Sequence, residues 1–111
     1  MTKYIIEITE PAIKDILEIV DYIRNITQSK DVAEEYMSGF FETIKSLEEM
    51  PKRFRIVNDP KLSKMDIRYT FFKNYTIVYS VLDSDVKVEV YRVLYSSSDL
   101  KTRIMGDYHD R

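Results

Sequence analysis

The spacing between apolar residues along this chain changes from the period of a strand to that of a helix and back. Residues 4–9 alternate between apolar and polar positions, which predicts a strand. Apolar residues then recur at intervals of three and four, which predicts a helix over residues 10–28. Thr9 is a suitable N-cap for that helix, and Pro11 is tolerated in a first turn.

A second helical stripe follows the polar stretch TQSKD. Asp31 is the predicted N-cap, and Glu34 three residues later completes a capping box. Pro51 is expected to end this helix, and the short connection predicts an antiparallel pair of helices. Gly39 lies in mid-helix, where it costs about 1 kcal/mol relative to alanine, and close packing is one interpretation of its presence.

The period returns to two after an irregular basic stretch at residues 51–65. Three strands are predicted from the segments DIRYTFF, NYTIVYSVL and VKVEVYRVLY. Lys73 and Asn74 link the first two of these strands in a tight hairpin, in which Asn74 is expected to adopt a positive φ. Residues 83–85 form the next predicted turn.

Arg92 interrupts the apolar pattern of the last strand. Continued strictly, the alternation puts Arg92 on the core face with Val90 and Leu94. A charge in that position needs a buried partner, unless the strand bulges near it. We therefore favour a structural ion pair for Arg92.

These elements follow the order β-α-α-β-β-β, which predicts an α+β fold. A helical hairpin is expected to pack on a mostly antiparallel four-stranded sheet, with the first strand at an edge or beside one of the later strands. The length of 111 residues suits one core, and we expect a single domain over residues 1–105. A short helix after Asp99 and a flexible tail at residues 106–111 complete the prediction.

Composition narrows the possible functions. The chain has no cysteine and one histidine, which excludes a disulfide framework, thiolate chemistry and the usual multi-histidine metal sites. No apolar run approaches the roughly 18 residues that a membrane span needs, and no secretory leader is recognisable. We therefore expect a cytoplasmic protein that needs no cofactor or metal and has no membrane partner.

Charge is distributed unevenly although the net charge is only −2. Acids outnumber bases between Glu7 and Glu49, whereas bases outnumber acids between Pro51 and Lys73. Such segregation is compatible with a basic face for an anionic partner, and equally with a solvated loop of scattered lysines.

Four segments of the chain, taken in order, resemble one known family. They are IEITEPAIKDILEIVDYI, SLEEMPKRFRIV, IRYTFFKNYTIVYSV and VYRVLYSSSDL. Together they resemble the RelE/ParE toxins of bacterial type II toxin–antitoxin pairs, over about residues 3–104. The resemblance implies the fold predicted above, growth arrest by the free protein, and neutralisation by an antitoxin whose extended or helical segment wraps it.

Two mechanisms are known in the family that the chain resembles. RelE-like members cut messenger RNA in the ribosomal A site, whereas ParE-like members inhibit DNA gyrase and are not nucleases. The fold does not distinguish these mechanisms, so the choice between them depends on the residues of the site.

Metal-free RNA cleavage requires cations that hold the phosphate and groups that move protons. RelE-like nucleases supply them with Lys and Arg on the sheet and a Tyr or His near the C-terminus. The resemblance makes Arg68 and Tyr95 the candidate catalytic residues. A salt bridge for Arg68 and an amphipathic surface aromatic for Tyr95 are the alternatives.

Further bases are candidates for binding RNA or a protein partner: Lys52, Arg53, Arg55, Lys73 and Arg92. Two other features depart from the nuclease branch. Thr76 stands where RelE nucleases typically carry an arginine, and residues 96–98 are serines where many relatives are basic. The chain therefore has fewer candidate phosphate-binding cations than the RelE-like nucleases that it resembles.

Three hypotheses follow from this comparison. The first is a toxin that is ParE-like, acting on DNA gyrase, or catalytically weakened. The second is a ribosome-dependent mRNA interferase that uses Arg68, Tyr95 and the bases at residues 52–55. The third is a non-toxic module that only binds an antitoxin. All three predict an antitoxin partner, and a homo-oligomer or a hetero-oligomer with that antitoxin is compatible with each.

Overall fold

A computed structural model describes residues 2–54, 56 and 64–96 of the chain. The main elements are β1 (Ile5–Ile8), α1 (Glu10–Thr27), α2 (Lys30–Lys45), β2 (Ile67–Phe72), β3 (Tyr75–Leu82) and β4 (Lys87–Tyr95). Short 3₁₀ turns occupy Ser46–Glu48, Pro51–Arg53 and Asp83–Asp85. The predicted helix after Asp99, the predicted tail and Arg55 lie outside the described residues, and the domain limits stay a prediction.

The four strands form one sheet in the order β1-β4-β3-β2. β1 lies at an edge and runs parallel to β4, whereas the other two pairings are antiparallel. The predicted α+β fold, with its order β-α-α-β-β-β and a mostly antiparallel sheet, is confirmed. The first strand takes the edge position, which was one of the two positions that the sequence allowed.

The core lies between the two helices and one face of the sheet. Its helical side consists of Ala12, Ile16, Phe40, Ile44 and the adjoining Leu47, and its sheet side of Tyr75, Ile77, Tyr79, Val81, Val88, Val90 and Val93. Complete burial of each large apolar side chain contributes about 1.5–3 kcal/mol, so this layer is the main source of stability.

The helix α1 begins as the sequence predicts. The Thr9 hydroxyl accepts a hydrogen bond from the Ala12 N–H (3.2 Å) and donates one to the Tyr91 carbonyl (2.9 Å). One side chain therefore caps the helix and attaches its first turn to β4. The helix ends at Thr27, and Gln28 follows in the left-handed region with a φ of 55°.

The predicted cap of the second helix is wrong. α2 begins at Lys30, and its N-cap is Ser29, whose hydroxyl accepts from the Val32 N–H at 3.1 Å. Only two residues separate the helices, so Ser29 is the residue that can cap, and Asp31 falls within the first turn. Its carboxylate there is still favourable next to the positive end of the helix dipole. The α-helix also ends before Pro51, at Lys45.

The predicted conformation of the turn between β2 and β3 is also wrong. The positive φ of 52° belongs to Lys73 and not to Asn74. Asn74 instead uses its carbonyl to accept a hydrogen bond from the Ser96 N–H at 2.7 Å, which joins the turn to the end of β4.

The structure explains why a glycine occupies position 39 in the middle of α2. A Cβ built at this position would lie 2.0 Å from Cζ of Phe72, well inside any real contact distance. The absence of a side chain therefore lets the tip of the β2–β3 hairpin lie directly against α2. The close packing that Gly39 permits is therefore that of α2 on the sheet.

Candidate functional site

The two candidate catalytic residues lie far apart on the sheet. Arg68 is opposite Tyr79, and Tyr95 is opposite Tyr75, so they share one face but sit at different levels of β3. Four residues of an extended strand span about 13 Å, before the two intervening inter-strand distances are added. Arg68 and Tyr95 are therefore not brought together around one phosphate.

Arg68 holds the chain that precedes β2. Its Nε donates to the Asp66 carboxylate at 2.7 Å, and its Nη1 donates to the carbonyls of Phe54 (2.7 Å) and Lys52 (3.1 Å). The side chain is only 11% exposed. The guanidinium thus ties two segments of the connection between α2 and β2 to the sheet, and an ion pair to Asp66 is part of that function.

Lys52 belongs to a small polar network at the same end of the molecule. Its ammonium hydrogen-bonds the Asp83 carboxylate, which also accepts from the Tyr4 hydroxyl at 3.3 Å. The hydrogen bond from Lys52 lowers the pKa of Asp83, and the same contact raises the pKa of Lys52. Both side chains are solvent-exposed, so the pair contributes little stability.

Arg53 caps the short turns that follow α2. Its Nη1 donates to the carbonyls of Glu49 (2.6 Å) and Met50 (3.1 Å), and its Nη2 donates to the Ser46 hydroxyl (3.1 Å). The guanidinium carbon also lies 4.5 Å from the centre of the Phe54 ring. These contacts fix a segment whose residue Met50 adopts a φ of 51°.

Arg92 forms the ion pair expected from the sequence, and the strand also bulges beside it. Val78 pairs with Arg92 and Tyr79 with Val90, so Tyr91 is an extra residue in β4. Nε and Nη2 of Arg92 donate to the two carboxylate oxygens of Asp15, at 2.7 and 3.1 Å. The same carboxylate accepts from the Val93 N–H at 2.9 Å.

Sequence reasoning missed Asp15 as the partner of Arg92. The signal was present, because Asp15 lies three residues after Ala12 and four before Ile19, on the apolar side of the helix. A carboxylate in that position needs a donor from the layer on which the helix packs.

Lys73 and Tyr95 lie at the end of the sheet that carries the β2–β3 turn. The Lys73 ammonium is 5.5 Å from the centre of the Tyr36 ring, and the Tyr95 ring is 5.9 Å from that of Tyr75. Burial raises the pKa of Tyr75, and the neighbouring hydroxyls of Tyr36, Tyr22 and Tyr95 add to the effect. Among the described residues, Lys73 thus lies beside a group of aromatic side chains at this end of the sheet.

Thr76 is buried where the resemblance leads one to expect an arginine. Its hydroxyl and that of Ser96 form a hydrogen bond of 2.7 Å. The pair satisfies two polar groups and adds no charge to the sheet. Within the described residues, no group of three or more His, Cys, Asp or Glu side chains could hold a metal ion, and no helix is long and apolar enough to cross a membrane.

The sequence matches one family model over residues 6–100, that of the ParE toxin of the type II toxin–antitoxin system, parDE. No curated protein sequence gives a significant match.

Solved structures of toxin–antitoxin systems share the fold. The chromosomal ParDE system from Pseudomonas aeruginosa superposes with a TM-score of 0.70 at 14% identity, covering 86% of this chain and 98% of that chain. The RelBE2 complex from Mycobacterium tuberculosis gives 0.63 at 16% identity, covering 86% and 93%. The intact Escherichia coli RelBE complex gives 0.55 at 19% identity, covering 85% and 98%.

Proposed function

The chain belongs to the ParE toxin family of type II toxin–antitoxin systems, and from this premise we propose that it arrests growth by inhibiting DNA gyrase. In this proposal a cognate antitoxin holds the toxin inactive, and growth arrest begins when the toxin is released from it. The toxin acts in the cytoplasm by contact with a protein target, and it cleaves no RNA.

The observation that carries the proposal is that most of the described candidate cations already form hydrogen bonds or ion pairs within this chain. Arg68, Arg92 and Arg53 each direct their guanidinium groups at carboxylates or carbonyls of this chain, and Lys52 is paired with Asp83. A phosphate-binding site needs cations whose donors converge on the ligand. Withdrawing any of these arginines to bind a phosphate would leave its present acceptors unsatisfied.

The geometry of the sheet supports the same proposal. Arg68 pairs with Tyr79 and Arg92 with Val78, so the two arginines arise from opposite faces of the sheet and from strands separated by β3. They cannot clamp one scissile phosphate between them. A protein-directed toxin does not require such a clamp.

One observation favours the second candidate function, that of a ribosome-dependent mRNA interferase. The Tyr95 side chain is 54% exposed, and a tyrosine hydroxyl can act as a proton donor or stack on a base through its ring. Tyr95 is therefore the residue on which the two functions can be separated.

The test combines two assays on the same induced protein. We expect the purified toxin to inhibit supercoiling by DNA gyrase, while primer extension on cellular mRNA finds no new cleavage sites. Tyr95→Phe removes only the hydroxyl, and Tyr22→Phe is the matched control at another exposed tyrosine. Neither change should abolish growth arrest if the target is gyrase.

Cleavage of mRNA in the ribosomal A site that Tyr95→Phe abolishes and Tyr22→Phe retains would establish the interferase instead. Normal growth after induction of the chain without its antitoxin, by a protein that still binds the antitoxin when the two are mixed, would leave only a binding module.

A further inference from the structure

Three hydrogen-bond donors near the turn between β2 and β3 have no acceptor among the described residues. They are the hydroxyls of Tyr36 and Tyr75 and the ammonium of Lys73, which form neither a hydrogen bond nor an ion pair with any described group. Arg53 and Arg68 differ, because their donors are bound to oxygens of this chain. A group of donors without acceptors indicates a ligand that supplies the acceptors.

Tyr75 is the most deeply placed of the three residues. It is only 8% exposed, and its ring packs against those of Phe40, with centres 5.6 Å apart, and Tyr36, at 6.4 Å. Its hydroxyl still reaches the surface, since no fully buried polar side-chain atom of the described residues lacks a partner. A mostly buried phenol whose hydroxyl opens to solvent without a protein acceptor can bind a ligand from outside.

Lys73 places its ammonium beside the same rings. Its Nζ lies 5.5 Å from the centre of the Tyr36 ring and 5.6 Å from that of Phe72. Contact with two ring faces leaves the N–H donors of the ammonium available to an anion. The residue has a φ of 52°, a conformation that is unfavourable for a lysine and that is concentrated at functional positions.

We propose that Lys73, Tyr36 and Tyr75 form a binding site for the phosphate group of a small molecule. The turn contributes the charge, α2 contributes one hydroxyl and β3 contributes the other. Three donor groups match the three terminal oxygens of a phosphate ester, whereas a carboxylate offers only two oxygens. This phosphate site goes beyond the inhibition of gyrase and does not depend on it.

The deeper phenol of the phosphate site keeps its proton under physiological conditions. Burial raises the pKa of Tyr75, and the neighbouring hydroxyl of Tyr36 adds to the effect. A neutral phenol donates a hydrogen bond to an oxyanion, whereas a phenolate would repel it. Tyr75 is therefore in the form that binds phosphate throughout the physiological pH range.

The composition of the site favours a small ligand over an RNA substrate. Cleavage of RNA needs further cations around the scissile phosphate, and Arg68 and Arg92 are already bound to groups of this chain. One ammonium and two phenols are sufficient to hold a single phosphate group. Inorganic phosphate and a nucleoside monophosphate are the two sources of that group that the experiments separate.

The first test observes the site directly in the full-length wild-type protein. The tyrosines are labelled with ¹³C at Cζ, and inorganic phosphate is added at constant ionic strength maintained with sodium chloride. We expect a saturable shift of the Tyr75 signal, which is identified by its absence from the spectrum of Tyr75→Phe. Phosphate should also raise the urea midpoint of unfolding, because it binds the folded state.

The second test removes the donors one at a time. Tyr75→Phe and Tyr36→Phe delete a hydroxyl and keep the ring, and Lys73→Met deletes the charge and keeps most of the side chain. Each variant should bind phosphate about tenfold more weakly, the effect of one hydrogen bond to a charged group. The titration of each variant follows the tyrosine signals that remain.

Two matched controls change the same residue types elsewhere. Tyr69→Phe alters a tyrosine of the same hairpin on the other face of the sheet. Lys14→Met alters an exposed lysine of α1. Both should bind phosphate as the wild type does. Urea unfolding without phosphate verifies that every variant is folded.

The source of the phosphate group follows from a parallel titration with adenosine monophosphate. Binding about tenfold tighter than that of inorganic phosphate, and lost in Lys73→Met, assigns the site to a nucleotide. Equal binding of the two assigns it to phosphate itself.

Three outcomes overturn the phosphate site. One is the absence of saturable binding by both phosphate and adenosine monophosphate. Another is an equal effect of the site variants and their controls. The third is binding of a 5′-phosphorylated RNA trinucleotide in the absence of binding by either small ligand, which would assign the donors to RNA.

Discussion

Tyr79 shows at the scale of one residue how burial fixes a protonation state. Its side chain has no solvent exposure, and its hydroxyl donates to the Pro51 carbonyl at 2.6 Å. Burial raises the pKa of Tyr79 to about 12, from a usual value of 10. The hydroxyl therefore stays a donor at every physiological pH and holds the turn after α2 against the sheet.

This pKa predicts a loss of stability in alkali. A folded-state pKa above the unfolded value means that the unfolded chain releases the proton first, so the contribution of Tyr79 is complete below pH 10 and is lost as the pH rises through 12. The loss amounts to about 2 kcal/mol by pH 12. The check is urea unfolding at several pH values between 9 and 12.

Tyr79→Phe provides the comparison, because it deletes the titrating group and keeps the ring. The variant should be about 1 kcal/mol less stable at pH 8 through the lost hydrogen bond, and its stability should fall less steeply above pH 10. Parallel pH curves for the two proteins would contradict the assignment.

The packing of the β2–β3 hairpin on α2 decides stability at the scale of the elements. Phe72 packs edge-on against Phe40, with ring centres 4.9 Å apart, and against Tyr36 at 5.9 Å. Its ring is thus held between neighbours and cannot move aside when the space above Gly39 is filled.

Gly39→Ala should therefore destabilise the protein although alanine is the better helix former. The gain in helix propensity is about 1 kcal/mol, whereas overpacking costs about 1–3 kcal/mol, and an overlap as short as this one belongs at the upper end. Ser38→Ala, at the adjacent exposed position, gains propensity without the overlap and is the control. A Gly39→Ala protein as stable as wild type in urea would show that the ring relaxes freely.

The elements were largely predictable from the sequence, because their periods and turn residues are local signals. The cap of α2 was not, since Ser29 and Asp31 are equally good caps and only the two-residue connection between helices decides for Ser29. The positive φ of Lys73 was missed for a related reason. Its contact with the rings of Tyr36 and Phe72 joins residues that are distant in sequence.

The contact between Asp15 and the end of β4 joins the layers of the whole molecule. One carboxylate, 13% exposed, receives two bonds from Arg92 and one from the Val93 N–H, and so fixes α1 to the sheet where β1 has ended. Such a carboxylate contributes more than an exposed ion pair, because its removal takes two charge-assisted hydrogen bonds from a partly buried guanidinium and the acceptor from a backbone N–H.

Asp15→Ala should lower the free energy of unfolding by about 2–4 kcal/mol. Asp21→Ala is the control, since it breaks an exposed pair with Arg24 and should cost under about 1 kcal/mol. Urea unfolding of both variants compares the two losses. Equal effects would show that the Asp15 contact contributes no more than a surface pair.

The candidate site was less predictable than the fold. The positions of the cations could be read from the sequence, but their partners could not. Arg68 meets the carbonyls of Phe54 and Lys52 only through the path of the chain before β2. A basic residue in a strand has the same appearance in a sequence whether it faces a ligand or its own backbone.

The parallel pairing of β1 with β4 has a consequence for the order of events during synthesis. Ile6 and Val88 are paired on these neighbouring strands although they are far apart in the chain. At the usual rate of translation, the ribosome needs about 4–16 s to make the intervening stretch. During that interval the first strand has no neighbour, and the helices have only part of the surface on which they pack. The sheet is therefore completed last, and the nascent chain has no finished toxin surface until its final strand has emerged.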